Sequence, residues 1–346
     1  MYWKYAAKRI FYGIVMYIIL IFIFSVLFNA TNEATTKAQI EEALRGETTK
    51  MRNMDVQEVQ KYIAERRAYK YHLYHLDQPI FQRIVWRTID TITLNFGNST
   101  NIKSAKGERD VWTIVSETIP RTILLFTTAM ILELILGVWL GLKKAQRAGG
   151  VLDKSTSIAT MVVYGMPRWW LGMIMIMFFA YQVNIFPSGG LHTVPPPQGF
   201  AYFLDIIYHM ALPMLTLLII DFWGTAYLTR NIVLGTLQED FVMSARARGI
   251  PENKVLFGHT MRTSAPPIVT MALLSLLSSI SGNILFEGIF SWPGMGNLYW
   301  IAIEQNDVPV LMGLLAITTA LYIAGLVILD LIYGFLDPRI KVGGKA

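Results

Sequence analysis

Three ionisable side chains lie inside long apolar stretches of the sequence: Glu133, Arg168 and Asp221. At the centre of a membrane helix each would cost roughly 2.5–3.5 kcal/mol on insertion scales, so each is expected to face a bundle interior or water. Two interpretations are open: the residues line a polar path through the bilayer, or Arg168 pairs with Asp221 or Glu133 and fixes helix packing. Pro167 would loosen the helix beside Arg168, which suits a cavity wall better than a lipid-facing surface.

Motifs for enzymatic chemistry are missing from the sequence. It contains no cysteine, no phosphate-binding loop ending in Gly-Lys-Ser/Thr, no HExxH and no GxSxG. His72 and His75 are three residues apart, but no carboxylate pattern accompanies them, and we interpret them as a surface pair rather than metal ligands. We therefore predict no catalytic residue, no metal and no cofactor bound by this chain. Any ATP on which it depends must be hydrolysed elsewhere.

The composition is that of an integral membrane protein. Of the 346 residues, 53% are hydrophobic and only 16% are charged, whereas about a quarter of the residues in soluble domains are charged. Apolar runs of about 20 residues, the length that crosses a ~30 Å hydrocarbon core, predict an all-α integral membrane fold with six transmembrane helices. These helices are expected at 10–28, 118–142, 155–181, 206–228, 266–289 and 309–334.

The first apolar run follows Lys4, Lys8 and Arg9 and could be a signal peptide or a retained span. Its length and the lack of a small-residue cleavage site after Phe28 favour a span. Trp169, Trp170, Trp292 and Trp300 crowd the expected outer ends of spans, and we interpret them as anchors at the membrane interface.

Basic residues in the short loops predict the orientation in the membrane. With the N-terminus inside, the cytoplasmic segments carry fifteen Lys and Arg residues, and the short outer loops at 182–205 and 291–308 carry none. Both termini are therefore expected in the cytoplasm. The net charge of +6 reflects these loops, so nucleic acid is not an expected partner.

The other charged residues lie mostly in residues 29–112, which mix 13 Lys or Arg with 11 Asp or Glu and predict an external soluble insertion. Asp55 and Glu58 resemble a capping box before an amphipathic helix, and Ile40 and Leu44 indicate another helix. We therefore expect three regions. Residues 1–28 form the cytoplasmic N-terminus and the first span, and residues 29–112 form the external mixed or helical insertion. Residues 113–346 form the core, with spans two to six and a cytoplasmic loop at about 230–265.

The loop after the fourth span has the charge pattern of a short helix over 239–248. Glu239 and Asp240 lie in its first turn, and Arg246 and Arg248 lie in its last turn, which matches the helix dipole at both ends. A solvated amphipathic loop is the alternative that composition alone favours.

Gly249 is expected to end this helix, and Pro251 to begin a second helix that runs to Pro266 and Pro267. Small side chains at Ala245 and Ala247 would let another protein's backbone approach the first helix closely. Phe241 and Met243 could fill a partner's pocket.

Four motifs follow one another along the chain. They are Leu76-Asp77-Gln78-Pro79, Ser244-Ala245-Arg246-Ala247-Arg248-Gly249, Phe286-Glu287-Gly288-Ile289-Phe290-Ser291-Trp292-Pro293-Gly294-Met295-Gly296 and Leu336-Asp337-Pro338-Arg339. They resemble the external segment, the cytoplasmic EAA-type loop, the outer motif and the C-terminal ending of the oligopeptide and dipeptide permease family of ABC importers. The resemblance covers nearly the whole chain.

The resemblance implies a type I importer permease (MetI-like) fold that forms half of a transmembrane heterodimer in a prokaryotic cytoplasmic membrane. The implied partners are a second homologous permease subunit, two ATP-binding subunits that carry ATP and Mg, and an external substrate-binding protein. Peptides are the expected substrate, and oligosaccharides are the alternative.

The resemblance also implies residue roles. The ATPase-coupling residues would be Glu239, Asp240, Phe241, Ser244, Ala245, Arg246, Ala247, Arg248 and Gly249. The outer motif would depend on Phe290, Trp292, Pro293, Gly294 and Gly296. The ionisable residues themselves, and not the resemblance, lead us to expect a translocation path that includes Glu133, Arg168, Asp221 and Glu287.

Two other classes of function stay open on the residues alone. An ion-driven secondary transporter built around the three intramembrane charges would need no ATPase and would respond to a proton or sodium gradient. A receptor-like scaffold that presents residues 29–112 to partners would transport nothing.

Overall fold

The computed structural model describes residues 2–49 and 55–336, and within them helices dominate. The helices are α1 (Tyr2–Thr49), α2 (Val56–Leu73), α3 (Ile80–Ile92), α4 (Val111–Gln146), α5 (Val151–Tyr164), α6 (Arg168–Met175), α7 (Phe200–Leu237), α8 (Asp240–Ala247), α9 (Glu252–Lys254), α10 (Met261–Ile280), α11 (Ile284–Ile289), α12 (Met295–Glu304) and α13 (Val308–Leu336). Two π-helical turns, Ile176–Gln182 and Val255–Thr260, extend α6 and join α9 to α10. The predicted all-α fold is confirmed; the ending at Asp337-Pro338-Arg339 lies outside the described residues.

Long apolar helices agree with the predicted number of spans. Among the described residues, five are long and apolar enough to cross a membrane: Tyr2–Leu27, Val111–Gln146, Phe200–Leu237, Glu252–Ile280 and Val308–Ile332. The pair Val151–Val163 and Arg168–Gln182 passes the same test jointly but bends by 97° at its break. Counted as one broken span, it brings the number to the predicted six.

The third span is therefore not the continuous helix expected over 155–181. Pro167 has no backbone N–H to donate and disfavours helical geometry in Met166, the residue before it. Pro167 itself adopts an extended conformation (φ −63°, ψ 134°) immediately before the first residue of α6. The proline predicted to loosen this span in fact breaks it, and Arg168 becomes the first residue of a new helix.

The fifth span differs from the expected 266–289 at both ends. The helix starts at Glu252 and stops at Ile280, and Gly282 follows with a φ of +69°. Pro266 and Pro267 lie inside α10 and do not end it, so the prediction of a helix ending at these prolines is wrong. Each proline lacks the N–H that would bond the carbonyl four residues earlier, at Arg262 and Thr263, and spanning helices tolerate proline where neighbouring groups satisfy such carbonyls.

The described chain forms two compact units, Met1–Thr118 with Leu298–Ala346, and Ile119–Asn297. In the first unit α1 packs along α13, where the Tyr2 hydroxyl donates to the Leu331 carbonyl at 3.1 Å and Arg9 pairs with Asp330 at 3.2 Å.

Helix α1 continues beyond its span to Thr49 as one helix. Ile40 and Leu44 are buried on it, so they do not begin a helix of their own. The extension is tied to α2 by Arg67 on Glu41 at 2.7 Å. Asp55 precedes α2 as expected, but its side chain makes no capping hydrogen bond, which rules out the predicted capping box.

The second unit contains two apolar clusters. One joins α4, α6 and α7 to α11 and includes Phe126, Phe286 and Trp292. The other joins α7 and α8 to the segment after Pro251 and includes Val233, Val242 and Leu256. The first cluster packs beneath the outer motif, and the second holds α8 against the bundle.

Candidate functional site

A cavity of about 630 Å³ lies within the unit Ile119–Asn297, between α4, α6, α7 and α10. Its lining combines apolar side chains, such as Phe126 and Met130, with ionisable and hydroxyl groups. The polar lining includes Glu133, Arg168, Asp221, Thr225, Ser275 and Ser278. The three intramembrane charges picked out in the sequence therefore lie around one space.

Arg168 and Asp221 form an ion pair in the cavity wall. The Arg168 Nη2 and Nε atoms donate to Asp221 Oδ1 at 2.9 and 3.1 Å. The Arg168 side chain is 45% exposed and that of Asp221 is 19% exposed. The two interpretations of these residues are thus compatible, because the pair is formed and also borders the cavity.

Glu133 is held separately on α4. The Thr225 hydroxyl of α7 donates to Glu133 Oε1 at 2.5 Å. This contact is possible because α4 and α7 approach closely, with Gly137 lying against Thr225. Glu133 therefore borders the cavity as an acceptor fixed by its neighbour, while Arg168 carries the exposed cationic surface.

Glu287 does not join these three residues. Its side chain is completely buried, and its carboxylate accepts from the Thr122 hydroxyl at 3.1 Å and from the Gly296 N–H at 3.0 Å. Burial raises the pKa of the Glu287 carboxyl to about 7, although these hydrogen bonds oppose the shift. The short helix α11 turns this side chain into the outer motif and away from the cavity.

The outer motif packs tightly around that carboxylate. Trp292 has no exposed surface, and its indole N–H donates to the Arg121 carbonyl at 3.0 Å, so it is not the interface anchor that was expected. Phe290 is buried against Gly172 of α6. Gly294 lies against Glu287 and Thr122, and Pro293 accepts from Arg121 at 3.3 Å through its carbonyl.

The expected helix over 239–248 is present as α8, with Glu239 before its first residue. Gly249 follows with a φ of +73°, a conformation that glycine adopts without strain. The second segment then begins at Pro251, and Arg246 pairs across the turn with Glu252 at 2.6 Å.

Helix α8 has a buried face and an exposed face. Ala245 and Val242 are buried in the apolar cluster with Leu256, so Ala245 contacts this chain's own segment and not an approaching partner. Phe241 is 41% exposed and lies at the edge of the buried face, four residues from Ala245, whereas Met243 is exposed on another side of the helix. The remaining polar and small residues of the segment are exposed as well: Glu239, Asp240, Ser244, Arg246, Ala247 and Arg248.

Two further features were not anticipated. Hydroxyls of Ser275 and Ser278 on α10 line the cavity; their spacing of three residues was a readable signal. Arg230 of α7 pairs with Asp153 of α5 at 2.7 Å. Only the structure brings that pair together, because its residues are 77 positions apart.

The described residues contain no group of three or more His, Cys, Asp or Glu side chains able to hold a metal ion. His72 bonds to Asp77 at 2.9 Å, and His75 stacks on Trp86 with ring centroids 4.9 Å apart. Each histidine therefore has a partner of its own, and the two do not form a shared ligand pair.

Comparisons with known proteins identify the class of membrane protein to which this architecture corresponds. Residues 133–342 match the family model described as "Binding-protein-dependent transport system inner membrane component". The oligopeptide transport system permease protein AppB of Bacillus subtilis is 33% identical over 66% of this chain and 71% of its own length. The di/tripeptide transport system permease protein DppB of Pseudomonas aeruginosa is 30% identical, covering 78% and 83%. The dipeptide transport system permease protein DppB of Escherichia coli K12 is also 30% identical, covering 77% and 82%.

Proposed function

This chain belongs to the family of binding-protein-dependent transport system inner membrane components, and we propose that it forms half of the translocation pathway of a peptide importer. It is a multi-pass permease subunit. The observation that carries the proposal is the family match over residues 133–342, which includes both the charged cavity wall and α8.

Peptides are the proposed cargo. The relatives named above transport oligopeptides, di/tripeptides and dipeptides according to their names. The cavity supports this choice chemically, because the exposed guanidinium of Arg168 suits a peptide carboxylate, and Glu133 and Asp221 offer acceptors for an ammonium group. Oligosaccharide uptake is the alternative outcome of the transport test.

The energy is proposed to come from other chains. No phosphate-binding loop occurs in this sequence, so two ATP-binding subunits would carry ATP and Mg. A second homologous permease subunit would complete the pathway, and an external substrate-binding protein would deliver the cargo. Basic residues in the short loops support an orientation with both termini in the cytoplasm.

Helix α8 is the proposed docking element for an ATP-binding subunit. Its inner face is fixed to α7 and to the segment after Pro251 through Val242 and Ala245. Two exposed side chains, Phe241 beside the buried face and Met243 on another side of the helix, are available to a partner. A movement imposed on α8 by the ATPase would therefore pass into the bundle through packed side chains.

The cavity is the proposed part of the path in this subunit. Arg168 follows the break before α6, and Asp221 lies in the middle of α7, so a change in the bend would alter their ion pair. ATP binding would favour a cavity open to the outside, and hydrolysis would return it to the inside. Glu287 has no surface in the cavity, and we assign it to holding the outer motif in place.

Co-purification tests the assembly. The tagged wild-type chain, extracted in mild detergent, should bring down a second permease and two ATP-binding chains. Phe241→Ala should reduce the recovery of ATP-binding chains at least about tenfold, as expected for truncating a buried aromatic anchor. Phe200→Ala is the matched control, because Phe200 is also exposed but begins α7 at the end far from α8. Recovery of a lone chain from several gentle detergents would refute the assembly.

Uptake tests the energy source and the cargo. In membrane vesicles loaded with ATP, the assembled system and its binding protein should accumulate labelled dipeptide, and dissipation of the ion gradients should leave this uptake intact. Uptake that survives ATP depletion and collapses with the gradient would instead identify a secondary transporter. Accumulation of an oligosaccharide in place of dipeptide would overturn the proposed cargo alone.

A further inference from the structure

A second cavity, of about 290 Å³, lies in the unit formed by Met1–Thr118 and Leu298–Ala346. Its walls are the extension of α1 beyond its span, the turn at 73–76, one face of α3 and the loop at 95–98. None of its lining residues belongs to the first cavity or to α8. Its volume is at the small end of the range for ligand pockets.

Two pairs of opposite charges line this second cavity, and they differ in one respect. Arg83 and Glu33 form a closed ion pair, with Nη1 2.7 Å from Oε2. Arg87 and Asp90 are half-buried and lie three residues apart on α3, yet neither the guanidinium nor the carboxylate has a hydrogen-bond partner in the described part of the chain. The same cavity therefore contains one closed ion pair, in which the buried Arg83 Nε still lacks a partner, and one open pair.

The open pair is costly for the protein as it stands. Burial lowers the pKa of Arg87 and raises the pKa of Asp90, in each case against the attraction of the other residue. Charged groups removed from water are destabilising unless they are paired and hydrogen-bonded. A ligand that brings both a carboxylate and an ammonium group would meet both needs at once.

The rest of the wall suits a compact organic ligand. His75 and Trp86 stack with an interplanar angle of 11° and form a flat aromatic surface beside the charges. We propose that this cavity binds a small zwitterionic amino compound of about dipeptide size, with its carboxylate on Arg87 and its ammonium on Asp90. The permease would then carry a peptide-binding site outside its translocation cavity; the choice of a peptide as the zwitterion rests on the proposed function.

Equilibrium dialysis of labelled alanyl-alanine tests the proposal. The purified assembly is used in detergent, without the substrate-binding protein. Arg87→Gln and Asp90→Asn should each weaken binding at least about tenfold, the size expected for hydrogen bonds to charged groups. Arg109→Gln and Glu65→Gln are matched controls with exposed side chains outside the cavity, and they should leave binding unchanged.

Blocked dipeptides assign each end of the ligand. N-acetyl-alanyl-alanine lacks the ammonium group, so it should bind at least about tenfold more weakly, and Asp90→Asn should cause no further loss. Alanyl-alanine amide lacks the carboxylate, so it should also bind at least about tenfold more weakly, and Arg87→Gln should cause no further loss. Arg87→Lys retains the charge and should keep part of the affinity, which separates loss of charge from loss of folding.

Several results would overturn the proposal. These are equal binding by Arg87→Gln and wild type, equal binding of blocked and free dipeptides, or loss of binding in Arg168→Leu alone, which would place the ligand in the other cavity. ATP-driven uptake is measured in parallel. If uptake by the wild type is normal and Arg87→Gln binds alanyl-alanine as tightly as the wild type, this site is refuted and the proposed function stands. If the wild type shows no uptake but its dipeptide binding depends on Arg87 and Asp90 as expected, the proposed function is refuted and this site stands.

Discussion

At the scale of single residues, the burial of Glu287 makes the folding stability of the protein depend on pH. Its pKa of about 7 in the folded protein exceeds the ordinary 4.5, so the folded state binds more protons between these values. The contribution of protonated Glu287 to the free energy of unfolding is therefore fully present below about pH 4.5 and is lost as the pH rises through about 7. The total loss is about 3 kcal/mol.

The variant Glu287→Gln should flatten that dependence, because an amide stays neutral at every pH in the window. The measurement is the thermal unfolding midpoint of the purified protein between pH 5 and pH 8. Glu304→Gln, an exposed glutamate, should retain the wild-type slope. A wild-type midpoint that rises with pH across this window, or an unchanged slope in Glu287→Gln, would contradict the assignment.

Arg168 allows a second residue-scale prediction. Arg168→Leu leaves Asp221 unpaired in the cavity wall and removes the exposed guanidinium, so it should lower peptide uptake about tenfold or more. Adding Asp221→Asn removes the orphaned charge. The double variant should recover whatever assembly Arg168→Leu loses, measured as recovery of co-purifying subunits, but it should not recover uptake. Recovery of both quantities in the double variant would show that the pair serves packing alone.

Residue types and spacing predicted the charged cavity wall better than they predicted burial. Glu133, Arg168 and Asp221 stood out because ionisable groups are rare in apolar runs, and they do border one cavity. Glu287 and Trp292 lie in equally apolar surroundings, but the direction in which the chain turns after α10 decides that they are buried in the outer motif. Periodicity carries no information about such a turn.

At the scale of helices, hydropathy found the spans but not their interruptions. The break before Arg168 depends on a proline whose neighbours cannot continue the helix. Pro266 and Pro267 have the same chemistry, yet α10 passes through them. The difference therefore lies in the tertiary context of each proline, which a local pattern does not contain.

The close packing of α4 on α7 gives a prediction for these two elements. A Cβ at Gly141 would lie 2.6 Å from Thr229 Cβ and 2.7 Å from the backbone carbonyl of Ala226, so Gly141→Ala must push the helices apart. The expected loss is about 1–3 kcal/mol, typical of overpacking, and it should appear as a lower thermal midpoint. Gly235→Ala is the matched control, since no atom lies within 4 Å of its added Cβ; equal midpoints for both variants would refute the close packing.

At the scale of the whole molecule, the orientation rests on the distribution of charge over loops. In the proposed orientation, fifteen basic residues lie in the cytoplasmic segments and none in the short outer loops, as expected because positive loops are retained in the cytoplasm. Residues 29–112, which we propose to be external, contain both signs of charge, so their own composition does not orient the chain.

The chain contains no cysteine, which makes the orientation directly testable with single-cysteine variants. Lys106→Cys places a thiol at an exposed position before α4, and Met243→Cys places one on the exposed face of α8. A membrane-impermeant maleimide added to intact cells should label Lys106→Cys and should label Met243→Cys only after permeabilisation. The two positions are separated by spans. The opposite labelling pattern would therefore show that the protein is inserted in the opposite orientation, with α8 out of reach of any cytoplasmic ATPase.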